Sequence, residues 1–583
     1  MKKTHLPFRL LSLWLALTLP WGFAAPAGAA AGGLARVNIL ADGLTPEVRP
    51  HVGVDCMEQV LQRLVAEDTY PIQGSTCQTN SSGKLPLEEP WIHATGSIVE
   101  VGDNIATWNV CGFSPAILDP NAPQNLEELQ AADPKEVAQL SKFDGRNYGI
   151  ITPVRDQGSS NLCWAYASVN ASEASILREG IDPSATLDTL RFSPTHLGYI
   201  RFNRGPDLLG NTAGEEDPTA DWLQASGSPG YSSTLFSQWW GPVQDGTPMV
   251  NTPSVIEEHS GYRMEHAIEL DGQRLSSNPA ARTRMKEAIA QYGAVTFSYN
   301  WIHEVPYDNP SRGGFGNPHA CTIIGWDDTI PASLFSGGAS QDGGWLVKNS
   351  YSSLPYFYLS YDNNSSYVFA FDYATKEEYD FNYFYDSSVD DFGMAASLNY
   401  TCAANVFQGL KGSDSQTEYV KAVQVGFYGS GATCDVKVYT NLQDQQDMSD
   451  LANVDPTLGT LAASGSATFD RPGYHTVPLE QLAEVAPGSY FSIVVQISGS
   501  SPYLRVIRAA DCKSYVLSKY GAWQKSGLNV PRLKAYTVLE NTSTGLTPEE
   551  TPHASIDDTP EALTGLMPEA TYLVNSAALT AGS

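Results

Sequence analysis

The chain contains 583 residues, and at about 150 residues per domain this predicts three or four domains. It carries 34 lysines and arginines against 64 aspartates and glutamates, for a formal net charge of −30 at pH 7. This balance argues against a nucleic-acid partner, because phosphate binding requires clustered cations. With 42% hydrophobic and only 17% charged residues, the chain has enough apolar material for packed cores and is not disordered as a whole.

Residues 1–31 are typical of a secretory signal peptide. A cationic start that ends at Arg9 precedes an apolar run from Leu10 to about Ala25, and small residues follow that run. Pro20 interrupts the run, which at about 16 residues is shorter than the roughly 20 needed to span a bilayer. We therefore expect an exported protein, secreted or at the cell surface, that has no membrane span after signal removal.

Changes in composition divide the rest of the chain into four regions. Residues 32–141 mix short apolar stretches with an acidic, helix-like segment, and we consider them a candidate inhibitory propeptide. Residues 142–375 combine helix patterns with apolar strand-like runs. Residues 376–540 contain short alternating strands separated by turn residues, which predicts a β-sandwich or jelly roll. Residues 541–583 contain six acidic residues and no lysine or arginine, and we expect a flexible tail.

Catalytic chemistry is indicated first around Cys163, which stands at the predicted start of a helix. The segment Trp164–Glu179 that follows consists mostly of good helix formers. The positive end of the helix dipole stabilises a thiolate, which is the nucleophilic form of cysteine. Gln157 lies shortly before it in a turn, where its amide can donate to an oxyanion together with the backbone N–H of Cys163. Free cysteines are often simply buried core residues, so Cys163 alone does not establish catalysis.

Two later segments favour a catalytic interpretation. His319 begins an apolar strand-like run, so one ring nitrogen can face a thiol and the other an orienting group. Asn349 ends a second such run, where its amide oxygen can accept from the imidazole and fix the tautomer. A cysteine followed along the chain by a histidine and an asparagine is a known nucleophile layout.

Residues 143–372 resemble the papain-like cysteine peptidases, through TPVRDQG before the cysteine, CWAYAS around it and KNSY around Asn349. The resemblance implies a two-lobed fold with a helical lobe and a β lobe. It also implies that Cys163 is the nucleophile, His319 its base and Asn349 the residue that orients the base. Gln157 corresponds to the oxyanion donor. The implied function is a secreted endopeptidase acting on protein or peptide substrates, with no cofactor, and no zinc-type Cys or His spacing is present in the sequence.

The same resemblance assigns substrate contacts. The segment 211–214 is similar to the glycine-rich turn that pairs with the substrate backbone, so Ala213 and Gly214 are predicted to contact it. Trp164 follows the nucleophile, and Tyr351 replaces the tryptophan that commonly shields the histidine–asparagine hydrogen bond. These four residues are the predicted substrate-binding set.

The chain departs from the family pattern just before the nucleophile. Ser160 stands where the family usually has a cysteine that forms a local disulfide, and Asn161 and Leu162 replace small residues. None of these changes removes a reacting group. Of the other cysteines, Cys321 is expected to be a buried core thiol.

Residues 380–540 further resemble the lectin-like β domain that follows the peptidase in some secreted bacterial members. The predicted fold class is therefore multidomain α+β, a papain-like peptidase followed by an all-β sandwich. The β domain is expected to bind substrate, a glycan or another cell-surface ligand.

Two other functions remain open. A lectin-like surface-binding protein could carry a weakly active or inactive peptidase module, but the complete set of reacting residues argues against it. A cell-wall amidase or transpeptidase would share the nucleophile chemistry. Those enzymes more often orient the histidine with a second histidine or an aspartate, so Asn349 argues against this alternative.

Overall fold

The computed structural model describes most of the chain between Asp119 and Asn541, together with four strands before it. The described residues are 119, 121–206, 209, 221–270, 278–301, 305–309, 317–363, 365–386, 402–500, 502–509, 512–518 and 520–541, with strands at 47–48, 73–74, 94–101 and 105–113. The predicted signal peptide, nearly all of the predicted tail and the segment 211–214 lie outside the described residues. Among those residues, no helix is long and apolar enough to cross a bilayer.

The described α-helices all lie before residue 293. They are α1 (Leu126–Ala131), α2 (Pro134–Val137), α3 (Cys163–Glu179), α4 (Pro194–Phe202), α5 (Pro229–Ser237), α6 (Pro253–His259) and α7 (Pro279–Tyr292), and short 3-10 helices occur at Gly145–Tyr148, Ala332–Leu334, Lys376–Glu378 and Leu442–Asp444. The helix predicted at Trp164–Glu179 is confirmed and begins one residue earlier, at the cysteine.

The strands dominate the later part of the chain. The first twelve are β1 (Glu47–Val48), β2 (Gln73–Gly74), β3 (Ala94–Val101), β4 (Ile105–Phe113), β5 (Lys142–Asp144), β6 (Tyr262–Leu270), β7 (Val295–Trp301), β8 (Tyr307–Asp308), β9 (Asn317–Asp327), β10 (Gly344–Lys348), β11 (Tyr356–Ser360) and β12 (Ser366–Thr375). The others are β13 (Phe381–Tyr383), β14 (Cys402–Gln408), β15 (Gln416–Tyr428), β16 (Ala432–Thr440), β17 (Thr460–Phe469), β18 (Gly473–Val485), β19 (Tyr490–Gly499), β20 (Tyr503–Leu504), β21 (Val506–Arg508), β22 (Ser514–Leu517), β23 (Trp523–Lys525), β24 (Asn529–Pro531) and β25 (Leu533–Asn541).

The central helix of the first domain is α3, which is buried along nearly its whole length. Its many alanines and serines have small side chains, so strands β9 and β12 can pack closely against the helix. The helix ends at Gly180, whose φ of 68° suits a left-handed C-cap. The position of Cys163 therefore follows from a helix that is held rigidly in the core.

Helices α1 and α2 pack on the same core rather than forming a separate unit. Leu129 and Val137 are buried in the hydrophobic cluster that surrounds α3. The guanidinium of Arg178, near the end of α3, donates to the carbonyl of Leu129 at 2.9 Å. The segment from Asn121 to Ser141 thus lies at the C-terminal end of α3, opposite the end that carries Cys163.

A single large sheet runs through both domains. Its strand order is β13-β25-β15-β18-β6-β12-β7-β9-β10-β11-β8, with β5 and β20 attached at its side. Strand β6 belongs to the first domain and β18 to the second, and the two pair antiparallel with Tyr474 opposite Ala267. The boundary between the domains is therefore a continuous hydrogen-bonded ladder.

The second domain is a sandwich, as the alternation of its strands predicts. Its other sheet has the order β17-β16-β19-β14-β22-β23. Alternate residues of β16, among them Cys434, Val436 and Val438, are buried against the large sheet, and the residues between them face outward. The predicted α+β fold class is confirmed.

Candidate active site

The edge of the sheet beside α3 brings His319 and Asn349 together. Strands β9 and β10 are antiparallel neighbours, with Thr322 opposite Lys348, so Asn349 lies just beyond the paired residues. The Nε2 atom of His319 is 2.9 Å from the Oδ1 atom of Asn349. Both side chains are buried, at 5% and 3% exposure. This contact leaves Nδ1 on the opposite side of the ring, which is the side that must face a thiol.

The orientation of the Asn349 amide is set by its other contacts. Its Nδ2 group donates to the carbonyl of Leu354 at 3.0 Å. Its Oδ1 atom accepts from the backbone N–H of Ser350 at 2.8 Å and lies 3.5 Å from the thiol of Cys321. The amide oxygen is therefore directed at His319. Cys321 is only 2% exposed, which confirms the predicted core thiol.

Cys163 is the first residue of α3, and its sulfur lies against the backbone of β9. Burial raises the pKa of the Cys163 thiol, while backbone N–H groups of Ala320, Trp164 and Cys163 itself act in the opposite direction. Ala320 directly follows His319 in β9. The thiol on α3 therefore contacts the residue of β9 that is next to His319. In this buried setting a thiolate needs a cation beside it, and a protonated histidine is the group available for that role.

Aromatic rings cover the histidine on two sides. The ring of Tyr351 stacks on His319 with a centroid distance of 5.5 Å and an interplanar angle of 24°. Tyr299, which is paired with His319 across β7 and β9, lies 6.1 Å from it. These rings exclude water from the His319–Asn349 hydrogen bond, and a hydrogen bond in such an environment is stronger than one in water.

Gln157 lies in the loop before Cys163. Both the nitrogen and the oxygen of its side-chain amide form hydrogen bonds. Its Nε2 group donates to the carbonyl of Ser160 at 2.6 Å, and its Oε1 atom accepts from the hydroxyl of Ser350 at 2.6 Å. The backbone N–H of Gln157 donates to the carbonyl of Ser350 at 2.8 Å. A primary amide has two N–H groups, so one of them remains to donate to a substrate oxygen.

Ser350 is the residue of this cluster that the sequence analysis did not single out. It contacts Asn349 through its backbone N–H and Gln157 through its hydroxyl and carbonyl. The KNSY segment contains it, but a serine after a strand carries no chemical signal of its own. Its role becomes visible only when the loop that holds Gln157 packs against the end of β10.

The loop before Cys163 is joined to the segment that follows residue 220 by hydrogen bonds. The backbone N–H of Asn161 donates to the carbonyl of Leu223 at 2.7 Å, and its Nδ2 group donates to the carbonyl of Gln224 at 2.6 Å. The Nε2 group of Gln224 returns a bond to the carbonyl of Ser159 at 3.1 Å. These three hydrogen bonds join the loop to the segment after residue 220. Residue 160, where the family usually has a disulfide-forming cysteine, is a serine in this chain.

A glycine in that joined segment packs on the tryptophan next to the nucleophile. A Cβ atom on Gly227 would lie 2.5 Å from the Trp164 indole, so no side chain fits at this position. Trp164 is fully buried, and Tyr231 makes an edge contact with it at 6.1 Å. Residues 221–230, the wall segment, therefore lie against Asn161 and Trp164, which flank Cys163 in the chain. Ala213 and Gly214 lie outside the described residues.

Leu162 anchors the nucleophile from the opposite side. Its side chain is fully buried, and a Cβ atom on Gly198 of α4 would approach it to 2.6 Å. The leucine that replaces a small residue is accommodated because α4 has a glycine where the two elements meet. Leu162 therefore positions the first turn of α3 without blocking its backbone N–H groups.

Both domains of the chain are similar to known proteins. Residues 384–537 match the family of lectin-like domains. The structure superimposes on the clostridial cysteine protease Cwp84 after propeptide cleavage with a TM-score of 0.52 and 20% identity, covering 68% of this chain and 99% of that one. The cysteine protease and lectin-like domains of Cwp84, a surface layer associated protein of Clostridium difficile, give 0.52 and 19%, over 68% of this chain and 88% of that one. The chain has the fold of a papain-like cysteine peptidase joined to a lectin-like domain.

The papain-like part also has curated relatives in animals. Digestive cysteine proteinase 2 of Homarus americanus is 22% identical over 241 residues, which is 41% of this chain, and Cathepsin L1 of Drosophila melanogaster is 22% identical over 234 residues, or 40%. The chain spans 66% and 55% of the lengths of these two proteins.

Proposed function

We propose that this protein is an exported cysteine endopeptidase that hydrolyses peptide bonds through Cys163, His319 and Asn349. The observation that supports it best is the buried 2.9 Å contact between His319 and Asn349, made beside a thiol at the first position of α3. A nucleophile, a base and an orienting group in this order form a complete acyl-transfer site.

The proposed reaction proceeds in two halves. The Cys163 thiolate attacks the carbonyl carbon of the substrate, a sulfur–carbon bond forms, and the carbon–nitrogen bond breaks while protonated His319 gives its proton to the leaving amine. Water then attacks the thioester, His319 accepts its proton, and the sulfur leaves as the carboxylic acid is released. Asn349 holds the imidazole in the orientation that serves both steps.

Two N–H donors would stabilise the negative charge that develops on the carbonyl oxygen of the substrate. One is the backbone N–H of Cys163 at the start of α3, and the other is an amide N–H of Gln157. A donor of this kind typically contributes about 3–4 kcal/mol to the transition state. Because Gln157 is held by Ser160 and Ser350 before substrate arrives, little reorganisation is needed.

Substrate contacts are proposed for both sides of the nucleophile. Ala213 and Gly214 would lie along the substrate backbone, and the wall 221–230 extends this surface. Trp164 was predicted to contact substrate as well, but its side chain is fully buried beneath Gly227 and therefore supports the wall from behind. Tyr351, stacked on His319, would cover the leaving-group side.

The lectin-like domain is proposed to hold the enzyme at its substrate or at a cell surface, through a glycan or another surface ligand. Cwp84 is a surface layer associated protein, and this similarity supports export of the present protein, together with the signal-peptide pattern of residues 1–31. We also propose that the region 32–141 includes an inhibitory propeptide, and that the part removed by cleavage ends before Leu129. The basis is that Leu129 and Val137 are part of the peptidase core and would have to remain after cleavage.

The experiment that tests this function compares wild type with Cys163→Ala after N-terminal processing. A thiol-reactive epoxide should label wild type and not the variant, and only wild type should cleave a peptide library. The surface-binding alternative requires an intact protein that binds a surface and cleaves nothing. The amidase or transpeptidase alternative requires Cys163-dependent action on cell-wall fragments with no cleavage of peptides composed of ordinary amino acids.

A further inference from the structure

A narrow crevice lies where the first domain meets the second, and its lining is mostly aromatic. Trp239 and Trp240, which follow α5, line it together with Phe381 and Phe384 from the start of the second domain. Its interior volume is about 30 Å³, and a single water molecule needs roughly 10–15 Å³. The crevice therefore admits a thin planar group of a few heavy atoms, and it is too small for a sugar ring.

Two side-chain amides in the lining have unpaired polar atoms. Gln238 is only 4% exposed, and neither its Nε2 nor its Oε1 atom has a hydrogen-bond partner among the described residues. Asn382 donates its Nδ2 group to the carbonyl of Ser237 at 3.0 Å, but no described residue donates to its buried Oδ1 atom. Buried polar atoms without a partner are costly, and an unseen partner is the ordinary explanation for them. The crevice thus presents two acceptor oxygens to a group that enters it.

Charged side chains beside the crevice are mostly acidic. An open groove adjoins the crevice and shares Glu257 with it. The charged residues that line the groove are four carboxylates and one ammonium group, namely Glu257, Glu258, Glu377, Asp380 and Lys376. Buried Arg263 pairs with Glu257, so three carboxylates remain against Lys376. The groove therefore attracts a cation towards the crevice.

The aromatic lining also suits a cation. Trp239 has a φ of 62°, in the left-handed region that bulky residues rarely adopt, and such strain clusters at functional sites. Its ring is held by Tyr536 of β25, at a centroid distance of 5.2 Å, and by the guanidinium of Arg263, 4.4 Å from the ring centre. Indole rings attract guanidinium groups, and this lining already holds one of them.

Helix α5 connects the crevice to the wall segment of the candidate active site. The helix begins at Pro229, within the wall segment 221–230, and Gln238 is its C-terminal cap. Nine helical residues rise about 13 Å, and an extended peptide covers that distance in about four residues. The crevice lies at the C-terminal end of the helix, where the negative end of the helix dipole favours a cation.

We propose that this crevice is an exosite that binds an arginine side chain of the protein substrate. The inference rests on the proposed peptidase function, which makes a protein chain the substrate. A guanidinium is planar, donates five N–H groups and accepts none, so it matches a thin aromatic crevice with two unpaired acceptor oxygens. A lysine ammonium is compact and strongly hydrated, and it matches this shape less well. Arginine bound here strengthens substrate binding from outside the cleft and contacts no reacting atom.

Binding is tested on the processed Cys163→Ala protein, which cannot cleave the probe. The probes are two fluorescein-labelled peptides of glycine and serine, one with a central arginine and one with citrulline, which keeps the size and loses the charge. Fluorescence anisotropy should show at least tenfold tighter binding of the arginine peptide. Gln238→Leu should abolish this preference without lowering the thermal midpoint, because the Gln238 amide has no partner among the described residues. Equal binding of the two peptides, or a preference that survives in Gln238→Leu, would overturn the exosite.

A pair of charge variants tests the groove. Glu377→Gln should weaken binding of the arginine peptide about threefold, because Glu377 lines the groove. Glu484→Gln, at an exposed position of β18 outside the groove, is the matched control and should have no effect. Equal effects of the two variants would contradict attraction by the groove.

Kinetics connect the crevice to catalysis. For a fluorogenic peptide with an arginine four or more residues from the scissile bond, wild type should show a KM at least fivefold lower than for the citrulline form at one or more placements. This difference should vanish in Gln238→Leu, with kcat unchanged. A KM that is equal for both forms at every placement would overturn the exosite. Absence of any peptide cleavage or epoxide labelling by wild type would instead overturn the peptidase function, whether or not the arginine peptide binds.

Discussion

The hydroxyl of Ser350 donates a hydrogen bond of 2.6 Å to the side-chain oxygen of Gln157, and this bond connects the two halves of the candidate active site. Gln157 belongs to the loop that leads to Cys163 in the helical lobe. Ser350 follows Asn349 at the end of β10 in the β lobe, and its backbone N–H also donates to Asn349. One serine therefore positions both the proposed oxyanion donor and the residue that orients the base.

We expect Ser350→Ala to lower kcat/KM about tenfold while the fold is retained. The substitution leaves the buried Oε1 atom of Gln157 without this donor, and an unsatisfied buried acceptor costs about 1–3 kcal/mol. Steady-state kinetics on a fluorogenic peptide would measure the effect, which should fall mainly on kcat. Ser352→Ala is the matched control, because Ser352 is an exposed serine of the same loop that contacts Asp156. Equal losses in both variants would contradict the positioning role.

Gln157→Ala should lower kcat by about a hundredfold to a thousandfold, because it removes a donor that acts on the developing oxyanion. Gln157→Glu should be similarly impaired, since a carboxylate keeps the length of the side chain but replaces the N–H donor with a negative oxygen. Labelling of Cys163 by a small alkylating reagent should persist in both. A loss of labelling together with activity would show that Gln157 maintains the structure rather than the transition state.

Asn161→Ala should raise KM about fivefold with little change in kcat. Its Nδ2 bond to Gln224 holds the wall segment 221–230 against the nucleophile loop, and the loss of one such bond corresponds to about 1 kcal/mol. The wall contacts substrate backbone in the proposed function, so weaker binding is the expected result. The same kinetic assay measures it, and an effect confined to kcat would contradict this interpretation.

The ladder between the two domains carries titratable groups. His266 of β6 and His475 of β18 are directly paired, with ring centroids 5.4 Å apart, and His266 Nε2 lies 4.0 Å from the carboxylate of Asp372. Burial lowers the pKa of His266, against the attraction of Asp372. Burial also holds the pKa of His475 well below its usual value, and the neighbouring His266 and, more weakly, the cation of Arg505 act in the same direction.

Glu265, which precedes His266 in β6, titrates in the other direction. Burial raises the pKa of Glu265 to about 8, with Asp372 and Glu378 adding to the increase and hydrogen bonds from Tyr379 and Thr476 opposing it. The folded protein therefore retains a proton on this carboxyl at neutral pH, whereas the unfolded chain does not.

These shifts predict a stability maximum near neutral pH. The neutral histidines contribute stability above the free histidine pKa of about 6.5, and it is lost as the pH falls. The protonated Glu265 contributes stability below about pH 4.5, and it is lost as the pH rises through about 8. Thermal unfolding should therefore show its highest midpoint near pH 6.5, a lower midpoint at more acid pH, and a decline between about pH 6.5 and pH 8 that then levels off.

Two variants test which group causes the loss of stability at acid pH (the acid limb) and which causes the loss towards alkaline pH (the alkaline limb). His475→Phe should flatten the acid limb, and the ring is expected to be tolerated because Phe469 already stacks on His475 at 4.3 Å. Glu265→Gln should flatten the alkaline limb. Differential scanning fluorimetry between pH 5 and pH 9 would measure both, and unchanged slopes in both variants would show that the ladder is not responsible.

Much of the candidate site could be predicted because its signals are local. The small residues after Cys163 indicate a helix that begins at the cysteine, and α3 begins there. The apolar runs around His319 and before Asn349 indicate strands, and β9 and β10 are those strands. Such patterns depend on neighbours a few residues apart, and these are visible in the chain itself.

Other parts depend on contacts between distant residues and could not be read in this way. Gly227 packs against Trp164, and no local sequence signal indicates this contact. The glycine-rich turn predicted from the sequence, at 211–214, lies outside the described residues. Ser350 is unremarkable until the Gln157 loop packs on it.

The amino-acid sequence by itself predicted the candidate reactive residues of this protein, because these residues and the elements that carry them are specified by residue type and short-range periodicity. It also indicated a second, all-β domain. Only the tertiary structure decided that β18 pairs with β6 and makes one sheet of both domains. Strand pairing between segments some two hundred residues apart is governed by register and packing, and these are properties of the folded chain rather than of any segment within it.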